Sequence, residues 1–88
     1  MTAQDFLQAL NNGRYAWPGG YPLYFLMSDG EALSFDAATE NKDLILSAIE
    51  SQDTHSEWYV VGVDVNWEDT ELYCAHTENR IESAYGDN

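Results

Sequence analysis

The most regular alternation of hydrophobic and polar positions lies in residues 58–65, where three valines alternate with a glycine and an aspartate. β-Branched and aromatic residues at a period of two predict a β-strand. The residues that follow, 66–71, place three carboxylates around Trp67. The pattern therefore predicts a buried strand that delivers an acidic loop to the surface.

Two segments carry apolar residues at the three- and four-residue spacing of a helix. The first begins with Thr2 and Asp5, which form a variant of the capping-box pair, and ends at residues 11–13. The second is capped by Asp36 or Thr39, and its apolar face consists of Ala37, Ala38, Leu44, Ile45, Ala48 and Ile49. Each stripe predicts a helix that covers a core. One last helical turn is predicted from three residues near the end: Ile81, Ala84 and Tyr85.

Two hairpins are predicted from strand-like runs and the turns between them. Residues 23–27 are an apolar run, residues 28–30 have turn chemistry, and residues 31–35 return as the partner strand. The short run 71–75 is predicted to pair with residues 58–65 as a second hairpin. The acidic loop then becomes the connection between its two strands.

These elements follow one another in the order α-β-β-α-β-β. The predicted fold class is α+β, with a small antiparallel sheet of two hairpins covered by one or two helices on one side. No repeat or interdomain linker is visible, so residues 1–88 are predicted to form a single domain. Hydrophobic residues make up 44% of the chain, which is sufficient for one modest core.

The charge balance narrows the classes of partner. The chain has 16 Asp and Glu against three Lys and Arg, a formal net charge of −13, and residues 50–88 hold ten of these acids. Such a field repels nucleic acid and anionic lipid, so direct contact with either is not predicted. A basic protein surface is the favoured partner, including one that normally holds nucleic acid. The alternative is that the charge only keeps the protein soluble.

The single cysteine and the short apolar runs limit the covalent cross-links, metal sites and cellular compartment that can be predicted. A single cysteine, Cys74, excludes an internal disulfide and a zinc site built on cysteines alone. The first residues lack a basic leader, and no run approaches the roughly 18–20 apolar residues of a membrane span. A cytoplasmic protein without cofactor is predicted.

Residues 16–25 contain the block WPGGYPLYF, and residues 66–85 contain NWED followed by LYC, a histidine and RIESAY. Both blocks resemble a group of small uncharacterised proteins from phages and mobile elements. Members of that group carry two cysteine pairs in a zinc-ribbon-like arrangement, and the matching positions here are Ser34, Ala37, Cys74 and Thr77. The resemblance implies a related fold without the metal, because three of the four thiols are absent and structural zinc takes four ligands.

The acidic loop and the strand before it supply the candidate site. Five residues are predicted to bind a partner: Asp64, Trp67, Glu68, Asp69 and Glu71. An indole among carboxylates suits a basic partner, because Trp anchors interfaces and carboxylates pair with arginine. The alternative is that Trp67 folds back onto the sheet. The same carboxylates are ligands of the kind that Mg²⁺ and Ca²⁺ prefer, but they lack the spacing of a calcium loop, so a solvated loop is favoured over a metal site.

An enzyme is not predicted. Serine hydroxyls and two histidines, His55 and His76, are present, but no motif joins a nucleophile, a base and an orienting group. The resemblance and the charge favour a phage or mobile-element protein that binds a host protein and inhibits or modulates it, with nucleic-acid mimicry as one route. Anti-restriction and anti-CRISPR proteins are the class that this size and charge suggest by analogy. The alternative is a non-catalytic accessory module, derived from a zinc ribbon, that acts through the aromatic loop at residues 17–21.

Overall fold

Residues 1–85, which the computed structural model describes, form three α-helices and four β-strands. The helices are α1, Ala3–Asn12; α2, Phe35–Glu40; and α3, Lys42–Glu50. The strands are β1, Tyr15–Ala16; β2, Tyr21–Met27; β3, Ala32–Leu33; and β4, Val60–Val65. The α+β class with a small antiparallel sheet is thereby confirmed. Within these 85 residues, none of the helices has the length and apolar character needed to cross a membrane.

Helix α1 begins at the predicted capping box. The Asp5 N–H donates to Thr2 Oγ1 at 3.0 Å, and the Thr2 N–H donates to Asp5 Oδ2 at 3.3 Å. The helix ends at Gly13, whose φ of 90° favours glycine and whose N–H donates to the carbonyl of Leu10. Both signals are local, which is why the sequence predicts this helix correctly.

The predicted second helix is two helices. Ser34 caps α2 instead of Asp36 or Thr39, because its Oγ accepts the N–H of Ala37 at 3.1 Å. The break lies at Asn41, where the backbone N–H and the side-chain Nδ2 both donate to the carbonyl of Ala37, at 3.0 and 2.9 Å. The amide side chain thus competes with the helical backbone, and α3 resumes at the next residue.

Strand β2 is the centre of the sheet and pairs antiparallel with each of the other strands. Strands β3 and β4 pair with overlapping residues of β2, so they occupy its opposite edges. Strand β1 lies on the same edge of β2 as β3, where the Leu23 N–H donates to the carbonyl of Arg14 at 2.9 Å. On the opposite edge, which β4 occupies, the Pro22 carbonyl accepts the N–H of Asn66 at 2.9 Å.

The predicted pairing of residues 58–65 with residues 71–75 is not observed. Strand β4 pairs with β2, and the Ala75 N–H donates to the carbonyl of Ala32 at 2.9 Å, which places residues 71–75 beside β3, across the sheet from β4. Tyr73 forms an isolated bridge with Arg80. A short apolar strand carries little information about its partner, so the neighbour in sequence is a poor guide.

The core lies between the sheet and the helices. The ring of Phe25 in β2 stacks on Phe35 of α2, with 4.5 Å between centroids, and contacts Phe6 of α1 at 5.3 Å. Helix α3 contributes Ile45 and Ile49 to the same cluster. Full burial of such a side chain stabilises the fold by about 1.5–3 kcal/mol. These contacts fix the central strand, and with it the edges to which the acidic loop is attached.

Strand β4 is less buried than the sequence predicts. Val60 is fully buried, but Val61 and Val63 are exposed over 43% and 39% of their surface. Among residues 1–85, no strand pairs with the outer edge of β4. The valine alternation therefore marks an edge strand that leaves Val61 and Val63 exposed to solvent.

Candidate partner-binding surface

The acidic loop, residues 66–71, is shaped by the side chain of Asn66, which is only 3% exposed. Its Nδ2 group donates to the carbonyls of Asp69 at 3.0 Å, Glu82 at 3.1 Å and Ile81 at 3.3 Å. Its Oδ1 accepts the N–H of Asp69 at 3.2 Å. A buried amide that is paired at both ends holds one conformation. The loop is thus fixed to the end of β4 and to residues 81–82.

The same connection overrides the predicted helical turn at the end of the described chain. The Ala84 N–H donates to the carbonyl of Asn66, and the Tyr85 N–H to that of Trp67, each at 2.8 Å. The Ile81 N–H donates to the carbonyl of Leu72. Because these amides donate to other segments, residues 81–85 form an irregular strap against residues 66, 67 and 72 instead of a helical turn.

The five predicted partner-binding residues are all exposed: Asp64, Trp67, Glu68, Asp69 and Glu71. Asp64 and Asp69 both lie near the phenol of Tyr24. Burial raises the pKa of Tyr24, and the two negative charges raise it further. Asp69 Oδ1 also accepts the N–H of Glu71 at 2.9 Å, which holds the loop in a turn. The negative charges of Asp64 and Asp69 thus act on the same phenol.

Trp67 packs against two tyrosines from distant parts of the chain. The ring centroids of Trp67 and Tyr21 are 4.8 Å apart, and those of Trp67 and Tyr85 are 6.1 Å apart with only 11° between the planes. Tyr21 and Tyr85 are 6.4 Å apart. We call Tyr21, Trp67 and Tyr85 the aromatic platform. Trp67 is still 46% exposed, so it rests on the sheet through Tyr21 and also faces solvent.

Acidic side chains are distributed over the surface of the molecule. All fifteen Asp and Glu within residues 1–85 are exposed. Arg14 forms an ion pair with Asp36, and the hydrogen bond from this pair raises the pKa of the guanidinium. By contrast, residues 64–79 contain five acids and no Lys or Arg. The stretch that holds the candidate site therefore has a dense negative charge and no cation of its own.

Three of the four positions that the expected resemblance would assign to zinc ligands, Ser34, Cys74 and Thr77, meet in space. The Ser34 N–H donates to the Sγ of Cys74 at 3.4 Å, and Ser34 and Thr77 form further hydrogen bonds with the thiol. The fourth position, Ala37, donates its N–H to Ser34 Oγ. Burial acts to raise the pKa of Cys74, but these hydrogen bonds outweigh it and lower the pKa to about 7. The thiol is 1% exposed and lies at the β3 edge of the core.

Metal ligands do not converge in the part of the chain that the structure describes: no group of three or more His, Cys, Asp or Glu side chains is arranged to hold an ion. His76 lies edge-on against Trp58, with 5.2 Å between ring centroids. His55 is exposed in the connector between α3 and β4. The turn of the acidic loop is closed by hydrogen bonds within the protein.

No pattern in the sequence assigns Asn66, Tyr21 or Tyr85 to the candidate site. Asn66 is marked only by its place at the end of a valine run, and the spacing of Tyr85 indicates a helical turn. Tyr21 follows two glycines and precedes Pro22, with no local pattern that connects it to Trp67. The surface is therefore interpreted from its own chemistry, since no family model, no curated protein and no solved structure matches the chain.

Proposed function

We propose that this chain is a small acidic protein of phage or mobile-element type that binds a basic surface on a host protein in the cytoplasm and inhibits or modulates it. The exposure of all fifteen acids in residues 1–85 carries this proposal. Carboxylates spread over a surface need only approach the charge density of a nucleic acid to compete for a site that binds one. Anti-restriction and anti-CRISPR proteins are the class that this size and charge suggest by analogy, and no catalytic step is proposed.

The acidic loop is the proposed centre of the interface. Its conformation is already fixed by Asn66, so little conformational entropy is lost when a partner binds. Trp67 offers an exposed aromatic anchor in the middle of the acids. Anchors of this type carry much of the binding energy of protein interfaces, whereas the surrounding charges increase the rate of association.

The proposal is tested with two variants that remove the same number of negative charges from different parts of the surface. A loop variant combines Glu68→Gln, Asp69→Asn and Glu71→Gln; the new amide at position 69 retains an oxygen that can accept the N–H of residue 71. The matched control combines Glu40→Gln, Asp43→Asn and Glu50→Gln, which are exposed positions of α2 and α3. Both variants lose the same number of carboxylates.

Each protein is used to capture partners from a bacterial lysate at low and moderate salt, with DNA added as a competitor. We expect the wild type and the control to retain a nucleic-acid-handling protein that salt weakens and DNA displaces, and the loop variant to lose it. Equal retention by the two variants would contradict the assignment of the site. A partner that is indifferent to both salt and DNA would contradict the mimicry itself.

An accessory module that acts through residues 17–21 is the second candidate. Trp17 is exposed over 75% of its surface, and its ring lies over Gly20, where an added Cβ would come within 3.1 Å of the ring. An exposed indole held in place by a glycine suits an apolar contact within a larger assembly. For this candidate, Trp17→Ala abolishes capture of a salt-insensitive partner, whereas the loop variant retains it.

Descent of this module from a zinc ribbon has a separate test. Because Ser34 and Thr77 already reach the thiol of Cys74, we expect the combined variant Ser34→Cys, Ala37→Cys and Thr77→Cys to bind Co²⁺ with a tetrahedral thiolate spectrum, and Zn²⁺ to raise its melting temperature. Ser34→Cys alone serves as the control with too few ligands. A triple variant without the Co²⁺ spectrum would contradict the descent.

A further inference from the structure

Two residues of the aromatic platform remain largely exposed to solvent although their rings pack together. Trp67 is 46% exposed and Tyr85 is 56% exposed, although both belong to a cluster with Tyr21. The backbone beneath them is fixed, because Tyr85 N–H donates to the carbonyl of Trp67 at 2.8 Å. Large aromatic faces held rigidly at a surface are typical of binding sites.

The ring distances decide where a ligand can lie. Centroid distances of 4.8, 6.1 and 6.4 Å are those of rings in direct contact, which is about 4.5–7 Å. No ligand fits between the rings, so the platform is not a cage that surrounds its ligand. A ligand must instead lie flat on the outer face of one ring, Trp67 or Tyr85, and this geometry favours a planar group.

The negative charge of the acidic loop favours a planar group that is positively charged. Glu68 follows Trp67 directly, and the turn formed by Asp69 and Glu71 lies in the same loop. Residues 64–79 hold no Lys or Arg. A cation on the outer face of an indole is attracted by the ring, and carboxylates near the ring edge accept its N–H groups. Among side chains, only the arginine guanidinium is planar and remains positively charged at every pH at which proteins function.

We infer that the aromatic platform binds an arginine side chain of the basic partner, with its guanidinium flat against an exposed ring face and its N–H groups directed to the carboxylates of the acidic loop. This inference rests on the proposed function, since it names the chemistry of the same partner surface. It adds a preference that charge alone does not give: arginine over lysine, because a compact ammonium cannot stack.

The test compares two blocked peptides, hexa-arginine and hexa-lysine, which have equal length and charge. Binding to the wild type is measured by isothermal titration calorimetry at moderate salt. We expect the arginine peptide to bind about tenfold more tightly. Trp67→Leu is expected to reduce the affinity for the arginine peptide to that for the lysine peptide and to leave the affinity for the lysine peptide nearly unchanged.

Two further variants separate the platform from general effects on the fold. Tyr85→Leu should also reduce the preference, whereas Tyr73→Leu, at an aromatic that is 52% exposed beside Arg80 and outside the platform, should not. Trp67→Phe keeps a ring and should restore part of the preference. Circular dichroism verifies that each variant is folded.

The outcomes distinguish the inference from the function on which it rests. Equal binding of the two peptides by the wild type, or an unchanged preference in Trp67→Leu and Tyr85→Leu, overturns the arginine site and leaves the acidic binding function standing. Failure to bind either peptide overturns both. Binding of a neutral apolar peptide as tightly as the arginine peptide would assign the platform to an apolar partner and would also overturn the inference.

Discussion

Asn66 is the residue on which the geometry of the acidic loop depends. Its side chain is buried and uses both ends: Nδ2 for the carbonyls of residues 69, 81 and 82, and Oδ1 for the N–H of Asp69. We expect Asn66→Ala to lower the free energy of unfolding by about 2–4 kcal/mol, because the carbonyls and the amide lose their partner in a buried place. Urea unfolding measures this loss.

Asn66→Asp is the sharper variant of the same experiment. It keeps the shape of the side chain but replaces the donating NH₂ by a carboxylate oxygen that faces three carbonyls, so the loss should be at least as large. Asn12→Ala is the control, because Asn12 Oδ1 accepts only an exposed bond from Gln8; its effect should remain within about 0.5 kcal/mol. An Asn66→Ala protein as stable as this control would contradict the role assigned to Asn66.

Titration of the Cys74 thiol makes the free energy of unfolding depend on pH around and above neutrality. The pKa of its thiol is lowered to about 7 in the folded protein, against about 8.5 in an unfolded chain. Between these values the unfolded chain binds more protons, so the contribution is complete above about pH 8.5 and is lost as the pH falls through about 7. We expect the free energy of unfolding to rise by about 1–2 kcal/mol from about pH 6 to about pH 9.

The comparison protein for this measurement is Cys74→Ala. Other titrating groups affect both proteins alike, so the difference between their pH profiles isolates the thiol. The variant should be less stable at every pH and should lack the rise. Parallel profiles of the two proteins would show that the folded thiol titrates as it does in an unfolded chain.

At the scale of single elements, β4 contains a glycine that the strand does not need. Gly62 lies opposite Leu26, and a Cβ added to it would meet no atom within 4 Å. Glycine inside a strand lowers stability by roughly 0.5–1 kcal/mol, and threonine suits a half-exposed strand. We therefore expect Gly62→Thr to raise the free energy of unfolding by about that amount, measured by thermal unfolding.

The matched glycine variant is Gly30→Ala. Gly30 lies in the turn after β2 with a φ of 86°, a backbone conformation that alanine adopts only with strain. This substitution should lower stability although nothing lies near its added Cβ. If both variants shifted the melting temperature in the same direction, backbone conformation at the two glycines would not explain the effects of the substitutions.

Elements whose signals are local can be predicted from the sequence. The capping box of Thr2 and Asp5 predicts α1, and the Asp29–Gly30 turn predicts the hairpin of β2 and β3, because in both cases the interacting residues are near neighbours. The break at Asn41 is also local, but an asparagine in a helical pattern is compatible with either a cap or a helix interior. Its effect therefore appears only in the structure.

Pairings between distant segments are not encoded in the same way. The valines of β4 predict a strand but not its partner, and the spacing of Ile81, Ala84 and Tyr85 predicts a helical turn where the structure has an irregular strap. The candidate site shows the same division. The five predicted residues are exposed, yet the ring contacts of Trp67 with Tyr21 and Tyr85 depend on how the whole chain folds.

The whole molecule carries a formal net charge of −13, and this charge repels itself in the compact state. We expect the melting temperature to rise by about 4–8 °C between about 0.01 M and about 1 M NaCl, because the screening length falls from about 30 Å to about 3 Å and the relief is on the order of 1 kcal/mol. Differential scanning calorimetry measures the change.

Neutralising charge should reproduce part of this stabilisation without salt. The helix variant with Glu40→Gln, Asp43→Asn and Glu50→Gln should melt higher than the wild type at low salt and gain less when salt is added. A melting temperature that falls with salt would show that ion pairs such as Arg14 with Asp36 outweigh the repulsion. The same salt should weaken binding to a basic partner, so stability and affinity move in opposite directions.

The hydrogen bonds of Asn66 also impose an order of events while the chain is being synthesised. Residue 66 leaves the ribosome before the carbonyls of Ile81 and Glu82 and the amides of residues 84 and 85, which complete its surroundings. Until these residues emerge, the Asn66 side chain has only water and its own loop as partners, and Trp67 lacks the ring of Tyr85. In a nascent chain the acidic loop therefore emerges before the contacts that shape it, and it reaches its final form only after residue 85 has also left the ribosome.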